Sequence, residues 1–169
     1  MRDEVDRIQQ QWRLSRPDLD VGPAGVFLRI MRISRLVHQH ADAALAEHGV
    51  DRAGFEVLSV IVRAGRPVPP AQIADDLHLT RAGITKRVRQ IEAAGLIVRY
   101  PHGQDGRSVM LDVTERGRAV VAPALEAIQR LESSWLAELP AEDQAVLEPA
   151  LRRLLATLQS SSVDVGGTG

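Results

Sequence analysis

The sequence predicts a mainly α-helical protein with a small β-wing, namely a winged helix-turn-helix with N- and C-terminal dimerisation helices. Three observations support this fold class. Apolar residues repeat every three or four positions through residues 71–97, with one short break, which indicates two helices joined by a turn. Residues 96–100 and 109–113 are rich in apolar, β-strand-forming residues and flank a loop of turn formers, which predicts a hairpin. Thr114 then suits the cap of another helix.

The predicted helices begin and end at residues typical of those positions. They cover residues 3–14, 23–48, 52–63, 69–77, 81–94, 115–138 and 141–159. Pro23 suits a first helical turn and Gly49 suits an exit, because proline presets φ and glycine adopts left-handed backbone. Pro123 and Pro149 lie inside the last two helices, where proline removes a backbone hydrogen bond and is expected to kink or break the helix.

These elements suggest five regions along the chain. They are an extra N-terminal helix and linker (1–20), an N-terminal dimerisation helix (21–50), a winged helix-turn-helix lobe (51–114), C-terminal dimerisation helices (115–159) and a disordered tail (160–169). The long first and last helices carry more apolar surface than one small lobe covers. We therefore expect a homodimer, with a self-contained helical cap as the alternative interpretation.

Composition excludes several classes of protein. The chain has no cysteine, so disulfides, thiolate metal ligands and cysteine redox sensing are excluded. Of its 169 residues, 44% are hydrophobic and 25% are charged, which is ordinary for a globular domain. Residues 1–11 lack the apolar core of a secretion signal, and no segment is apolar for long enough to span a bilayer. We expect a cytoplasmic protein with no membrane partner.

Charge is distributed unevenly although the net charge is only −1. Residues 81–118 contain eight Lys or Arg residues and four Asp or Glu residues. A locally positive stripe in a neutral protein favours binding to duplex DNA, and arginine suits bidentate contacts to phosphate and guanine. A solvated arginine-rich surface is the alternative. On the DNA interpretation the protein is associated with the nucleoid when bound.

The helix expected at 81–94 has an apolar face, formed by Ile84, Val88 and Ile91, and a polar face. In a helix-turn-helix the second helix enters the major groove, so the polar face is expected to contact base edges and phosphates. Its candidate DNA-binding residues are Arg81, Thr85, Lys86 and Arg89. Arg107, at the tip of the wing, is expected to probe the minor groove, and Asp105 is expected to support the tip by pairing with an arginine.

The chain resembles the MarR family of bacterial transcriptional regulators. The likeness is carried by residues 71–77 leading into the helix at Thr80, by residues 92–97, and by the wing with its cap, residues 105–117. It spans about residues 23–159. The resemblance implies a homodimer with interlocked terminal helices that binds a pseudo-palindromic operator. It also implies that the prolines at 123 and 149 are tolerated as kinks, and that a repressor of this type is released by a small molecule.

A narrower likeness concerns the urate-responsive subgroup, which has an extra N-terminal helix. Its ligand-linked positions correspond to Trp12, Glu56, Arg87 and Arg99 here. Glu56 departs from the aspartate of the pattern, which puts urate itself in question. The resemblance implies that an anionic purine stacks on Trp12, accepts hydrogen bonds from Arg87 and loosens a Glu56–Arg99 pair. A packing role for Trp12 and phosphate contacts for Arg87 and Arg99 are the alternatives.

Three other functions are alternatives to DNA binding. His38 and Asp42 lie four residues apart with His40 and Glu47 nearby, which makes a metal-responsive regulator conceivable, although such pairs are usually solvated. An enzyme is disfavoured because no nucleophile–base set or phosphate-binding glycine loop is present, and no cofactor is expected. The third alternative is a winged-helix module that binds another protein without specific DNA binding.

Overall fold

The computed structural model describes residues 2–102 and 108–164, with side chains for 2–101 and 109–161. These residues form helices α1 (Glu4–Ser15), α2 (Gly22–Glu47), α3 (Arg52–Ala64), α4 (Pro70–Asp76), α5 (Arg81–Ala93), α6 (Glu115–Ala137) and α7 (Ala141–Asp164), with strands β1 (Ile97–His102) and β2 (Ser108–Val113). The predictions for Asp105 and Arg107 fall outside the described residues. The fold class is confirmed.

One predicted helix boundary was wrong. The helix expected to end at Gln159 continues to Asp164, so residues 160–164 are not a disordered tail. The hydroxyls of Ser160 and Ser161 donate to the Thr157 carbonyl at 2.8 and 2.9 Å, and no glycine or proline interrupts the chain before Gly166. Pro123 and Pro149 break neither of their helices, as the resemblance implied.

The chain forms two compact units, Met1–Ala127 and Ile128–Gly169, with α6 beginning in the first and ending in the second. In the first unit α3, α4 and α5 pack together and against the hairpin of β1 and β2. Their fully buried side chains include Leu58, Ile61, Ile73, Val88 and Leu111. This core confirms the burial predicted for the apolar stripe of α5.

The base of the wing has a third strand-like segment that the sequence did not predict. Val68, in the segment between α3 and α4, exchanges two backbone hydrogen bonds with Leu111, at 2.8 and 2.9 Å. The same hairpin pairs Ile97 with Val113 in antiparallel register. Because Val68 and Leu111 are fully buried, these bonds attach the wing to the helical core.

Three helices of the first unit begin with the same local device. A capping side chain accepts a hydrogen bond from the backbone N–H of a glycine three residues later, in α3 (Asp51 to Gly54), α5 (Thr80 to Gly83) and α6 (Thr114 to Gly117). The Thr114 hydroxyl also donates to the Gly95 carbonyl at 2.8 Å, which joins α6 to the turn before the wing. A Cβ on Gly117 would lie 2.1 Å from the Leu96 carbonyl oxygen, so this glycine permits a close backbone approach.

Helix α1 is attached to α2 by one buried amide and several ion pairs. Gln9 is buried against Gly25 and donates to the Val21 carbonyl at 2.8 Å. Arg29 of α2 donates to both carboxylate oxygens of Asp3, at 2.8 and 3.0 Å, and to Asp6 at 2.8 Å. Trp12 stays 51% exposed, so the buried contact of α1 depends on Val5 and Gln9 rather than on the tryptophan.

Replacing Gly117 with alanine is expected to destabilise the protein by about 2–4 kcal/mol, because the new Cβ overlaps a backbone atom and helix and strand must separate. Urea unfolding followed by circular dichroism measures this. Gly83 is a matched control, since it occupies the same position after its cap but a Cβ there would meet only the Thr80 hydroxyl, at 3.3 Å. Gly83→Ala should change stability by less than about 1 kcal/mol. Equal losses in the two variants would contradict the close-approach explanation.

Attachment of α1 is expected to weaken in acid. Hydrogen bonds from Arg29 hold the pKa of the Asp3 carboxyl below its usual value. A carboxyl whose pKa is lower in the folded protein stabilises it above the unfolded pKa, and that stabilisation is lost as the pH falls below about 4. Hydrogen exchange at the α1 amides should therefore speed up there. Asp3→Asn keeps a good helix cap but removes the charge, so the acid-dependent increase in exchange rate should be smaller in this variant. An unchanged increase would exclude Asp3 as its cause.

Candidate functional site

The position of α5 is set by the turn that precedes it. His78 adopts left-handed backbone with φ +52°, and the Leu79 N–H donates to the Ala74 carbonyl at 2.8 Å. Thr80 then caps α5. This short turn places α4 and α5 in contact, as a helix-turn-helix requires.

The exposed face of α5 forms a shallow concave surface of about 560 Å³. Its lining residues are Arg81, Ala82, Thr85, Lys86, Arg89 and Gln90. The structure thus brings together the four DNA-binding residues predicted on this helix, and adds two that the sequence analysis did not select. Both could have been found, because Ala82 and Gln90 each follow a selected arginine on the same exposed side.

The cations of this surface are not neutralised within the part of the chain that the structure describes. Neither Arg81, Lys86 nor Arg89 forms an ion pair with another residue whose side chain the structure describes. Thr85 donates its hydroxyl proton to the Arg81 carbonyl at 2.7 Å, so its side chain can offer only an acceptor and a methyl group to a ligand. The surface can bind phosphate oxygens and the acceptor edges of guanine, and can contact the methyl of thymine.

Two arginines that border this surface are neutralised. Arg87 donates from Nη1 to the Glu56 carboxylate of α3 at 2.5 Å, with both side chains half-buried. Arg99 of β1 donates from Nε to both carboxylate oxygens of Glu92, at 2.8 and 2.7 Å. The expected Glu56–Arg99 pair was therefore wrong. The reason is proximity along the chain. Glu92 lies near the end of α5, close to the start of β1, so its carboxylate is within hydrogen-bond distance of Arg99.

A cavity of about 520 Å³ lies beside the Glu56–Arg87 pair. It is lined by Asp42, Ala46, Gly49, Val50, Asp51, Arg52, Ala53, Glu56 and Arg87. Of the four predicted ligand-linked residues, Glu56 and Arg87 line it, whereas Trp12 and Arg99 do not. Asp42 and Arg52 also line this cavity, and the sequence analysis did not place them there, because their proximity depends on how α2 and α3 pack.

Two further properties concern the alternatives. Across the described residues no group of three or more His, Asp or Glu side chains is arranged to hold a metal ion, and Asp42 lies 3.7 Å from Nε of Arg52. None of the helices in the described residues, 2–102 and 108–164, combines the length and apolar character needed to cross a membrane.

Comparison with known proteins agrees with this architecture. The family model described as "MarR family" matches residues 48–108, which cover α3 to the wing. The HTH-type transcriptional regulator PecS of Dickeya dadantii is 32% identical over 153 residues, covering 89% of this chain and 92% of PecS. The chain belongs to the MarR family. Its relatives are transcriptional regulators rather than enzymes, and a MarR protein is a DNA-binding regulator.

Solved MarR family structures share the fold. A Streptomyces coelicolor MarR family regulator, Sco5413, superposes with a TM-score of 0.70 at 22% identity, over 83% of this chain and 98% of that protein. The E. coli MarR mutant in complex with operator DNA gives 0.68 at 21% identity, over 85% and 97%. The S. aureus MepR–DNA complex gives 0.69 at 21% identity, over 82% and 97%.

Energetic coupling between Glu56 and Arg87 is expected to be about 1–2 kcal/mol, since the pair is half-buried and directly hydrogen-bonded. A double-mutant cycle with Glu56→Gln and Arg87→Gln, followed by urea unfolding, measures this coupling. The matched cycle with Glu56→Gln and Arg99→Gln should show coupling below about 0.5 kcal/mol, because those side chains do not pair. Strong coupling in the Glu56–Arg99 cycle alone would contradict the Glu56–Arg87 pair and support the Glu56–Arg99 pair expected from the sequence.

Proposed function

We propose that this MarR family protein acts as a homodimer that binds a pseudo-palindromic operator through α5 and is released from it by a small anionic effector. The observation that carries the proposal is the separation of charges around α5. Arg81, Lys86 and Arg89 have no ion-pair partner among the described side chains, whereas Arg87 and Arg99 are paired with glutamates. Cations left unpaired on an exposed helix face are available to phosphates and guanine edges.

In the proposed complex α5 lies in the major groove with its N-terminal residues nearest the bases. Arg81 and Arg89 are the candidates for bidentate contacts to guanine, and Lys86 for a phosphate contact. Thr85 contributes its methyl group, because its hydroxyl proton is donated to the helix backbone. Arg107 of the wing is proposed to enter the minor groove, with Asp105 as support for the wing tip.

A second copy of the chain is supported by apolar surface on the terminal helices. Phe27, Met31 and Ile33 of α2 are 41–59% exposed. In the second unit α6 and α7 form an apolar groove of about 560 Å³, lined largely by Leu136, Leu147, Leu151 and Leu155. Exposed apolar surface of this kind favours an interface, and a symmetric dimer presents two α5 helices to the two halves of an operator.

The cavity beside Glu56 and Arg87 is the proposed effector site, with urate or a related anion as the first candidate. Glu56 connects α3 to α5 through Arg87, so a ligand that competes for Arg87 would alter how α5 is held. A coupling of about 1–3 kcal/mol between ligand and DNA would be sufficient for release. We propose that the protein works in the cytoplasm, on the nucleoid.

Operator binding is expected to be strongly salt-dependent and to require the free cations of α5. Fluorescence anisotropy on the duplex upstream of the protein's own gene measures this, at several salt concentrations and with or without urate. Arg81→Ala and Arg89→Ala should each weaken binding about tenfold or more, because a bidentate arginine–guanine contact contributes about 1–3 kcal/mol. Arg107→Ala should weaken binding without lowering thermal stability.

The control is Arg7→Ala, an exposed arginine of α1 whose loss should leave operator affinity unchanged. Binding that varies little with salt would favour the alternative, a winged-helix module that contacts another protein through an apolar centre. Binding that urate does not alter would keep the DNA-binding assignment and remove urate from consideration.

A further inference from the structure

The cavity beside Glu56 contains an arginine, 37% exposed at the side chain, one of whose nitrogens has no hydrogen-bond partner in the described structure. Arg52 is the first residue of α3, and its Nη1 atom is buried without a hydrogen-bond partner among the described residues. Its Nε atom lies 3.7 Å from Oδ1 of Asp42, which is close enough for an ion pair but too long for a hydrogen bond. A buried guanidinium nitrogen without an acceptor is costly, because its desolvation is not compensated.

The two arginines of the cavity therefore differ in availability. Arg87 is committed to Glu56 through a 2.5 Å hydrogen bond. Arg52 has the Asp42 carboxylate 3.7 Å from Nε, and its Nη1 has no acceptor among the described residues. The position of Arg52 also favours a bound anion. The positive end of the helix dipole lies at the first turn of α3, where it disfavours the arginine charge and stabilises a negative ligand.

We propose that Arg52, rather than Arg87, is the primary anion-binding residue of this cavity, and that the ligand is a small organic anion. The inference rests on the effector response proposed above. A cavity of about 520 Å³ has the volume of a small-molecule site. The carboxylates of Asp42, Asp51 and Glu56 line the same cavity, and Asp51 already accepts a hydrogen bond from the Gly54 N–H. The ligand therefore also carries hydrogen-bond donors for the carboxylate oxygens.

This position explains how a ligand at Arg52 reaches the DNA-reading helix. Arg52 and Glu56 are four residues apart on α3, one helical turn, so they share a face. An anion bound at Arg52 brings negative charge next to the Glu56 carboxylate and offers Arg87 a second acceptor. Arg87 belongs to α5, so exchange of its partner changes the contact between α3 and α5.

The chain offers a closely matched control for this residue. Arg63 lies on the same helix and also has a carboxylate oxygen, that of Asp76, at 3.7 Å. It is 72% exposed at the side chain and does not line the cavity. Arg52→Gln and Arg63→Gln therefore remove the same charge from opposite ends of the same helix, and only Arg52, whose side chain is 37% exposed, lines the cavity.

Isothermal titration calorimetry of the full chain with urate and with benzoate, two aromatic anions of different shape, tests the proposal. At least one of them should bind the wild type, and Arg52→Gln should weaken that binding about tenfold or more, the loss typical of a charge-assisted hydrogen bond. Arg63→Gln should bind as the wild type does. Hypoxanthine, a neutral purine, should bind weakly and respond little to Arg52→Gln.

Equal weakening in the two variants would overturn the assignment, as would unchanged binding in Arg52→Gln or no binding of either anion to the wild type. If Arg52→Gln fails to fold, Arg52→Lys serves as the second variant. It keeps the charge but lacks the planar guanidinium, so it should bind the anion with intermediate affinity, and wild-type affinity would contradict direct contact with Arg52.

Operator binding without anion, measured by anisotropy, distinguishes failure of the proposed function from failure of this inference. If the wild-type protein does not bind the operator, the proposed function is refuted. If it binds the operator but Arg52→Gln binds the anion as tightly as the wild type does, only the present inference is refuted.

Discussion

Burial of Ile84, Val88 and Ile91 beneath α5 determines the direction of every other side chain on that helix. These three residues pack into the core at spacings of four and three, so one side of the helix is fixed against α3 and the hairpin. The remaining residues are then forced outward, because side chains on a helix follow its 3.6-residue period. The basic surface of α5 is a direct consequence of the packing on its opposite side.

Two arginines beside this surface, Arg87 on α5 and Arg99 on β1, differ from its exposed cations. Arg87 and Arg99 lie where a charge is partly removed from water, and each is paired with a glutamate from a neighbouring element or turn. Pairing satisfies them, because an isolated half-buried charge would be costly. Among the described side chains, pairing thus separates two neutralised arginines from Arg81 and Arg89, which have no ion-pair partner there and can bind an external anion.

The beginning of α3 connects the core to the cavity. A Cβ on Gly54 would lie 3.0 Å from both the Asp51 carboxylate and the Ile91 side chain, so α3 and α5 approach closely at this point. Arg52 and Glu56 flank Gly54 on α3 and line the cavity. Close packing transmits small displacements rather than absorbing them, so under the proposed effector response a ligand in the cavity is expected to alter the position of α5.

The sequence by itself determined the fold class, the helix boundaries to within a few residues and the exposed face of α5, because these depend on local periodicity and on capping residues such as Thr80 and Thr114. Only the tertiary structure decided which charges meet. Glu56 pairs with Arg87 instead of Arg99, and Arg52 and Asp42 enter the cavity while Trp12 does not. Ion pairs between elements depend on distances of a few ångströms across a packed core, and the linear order of residues carries no information about those distances until the core has formed.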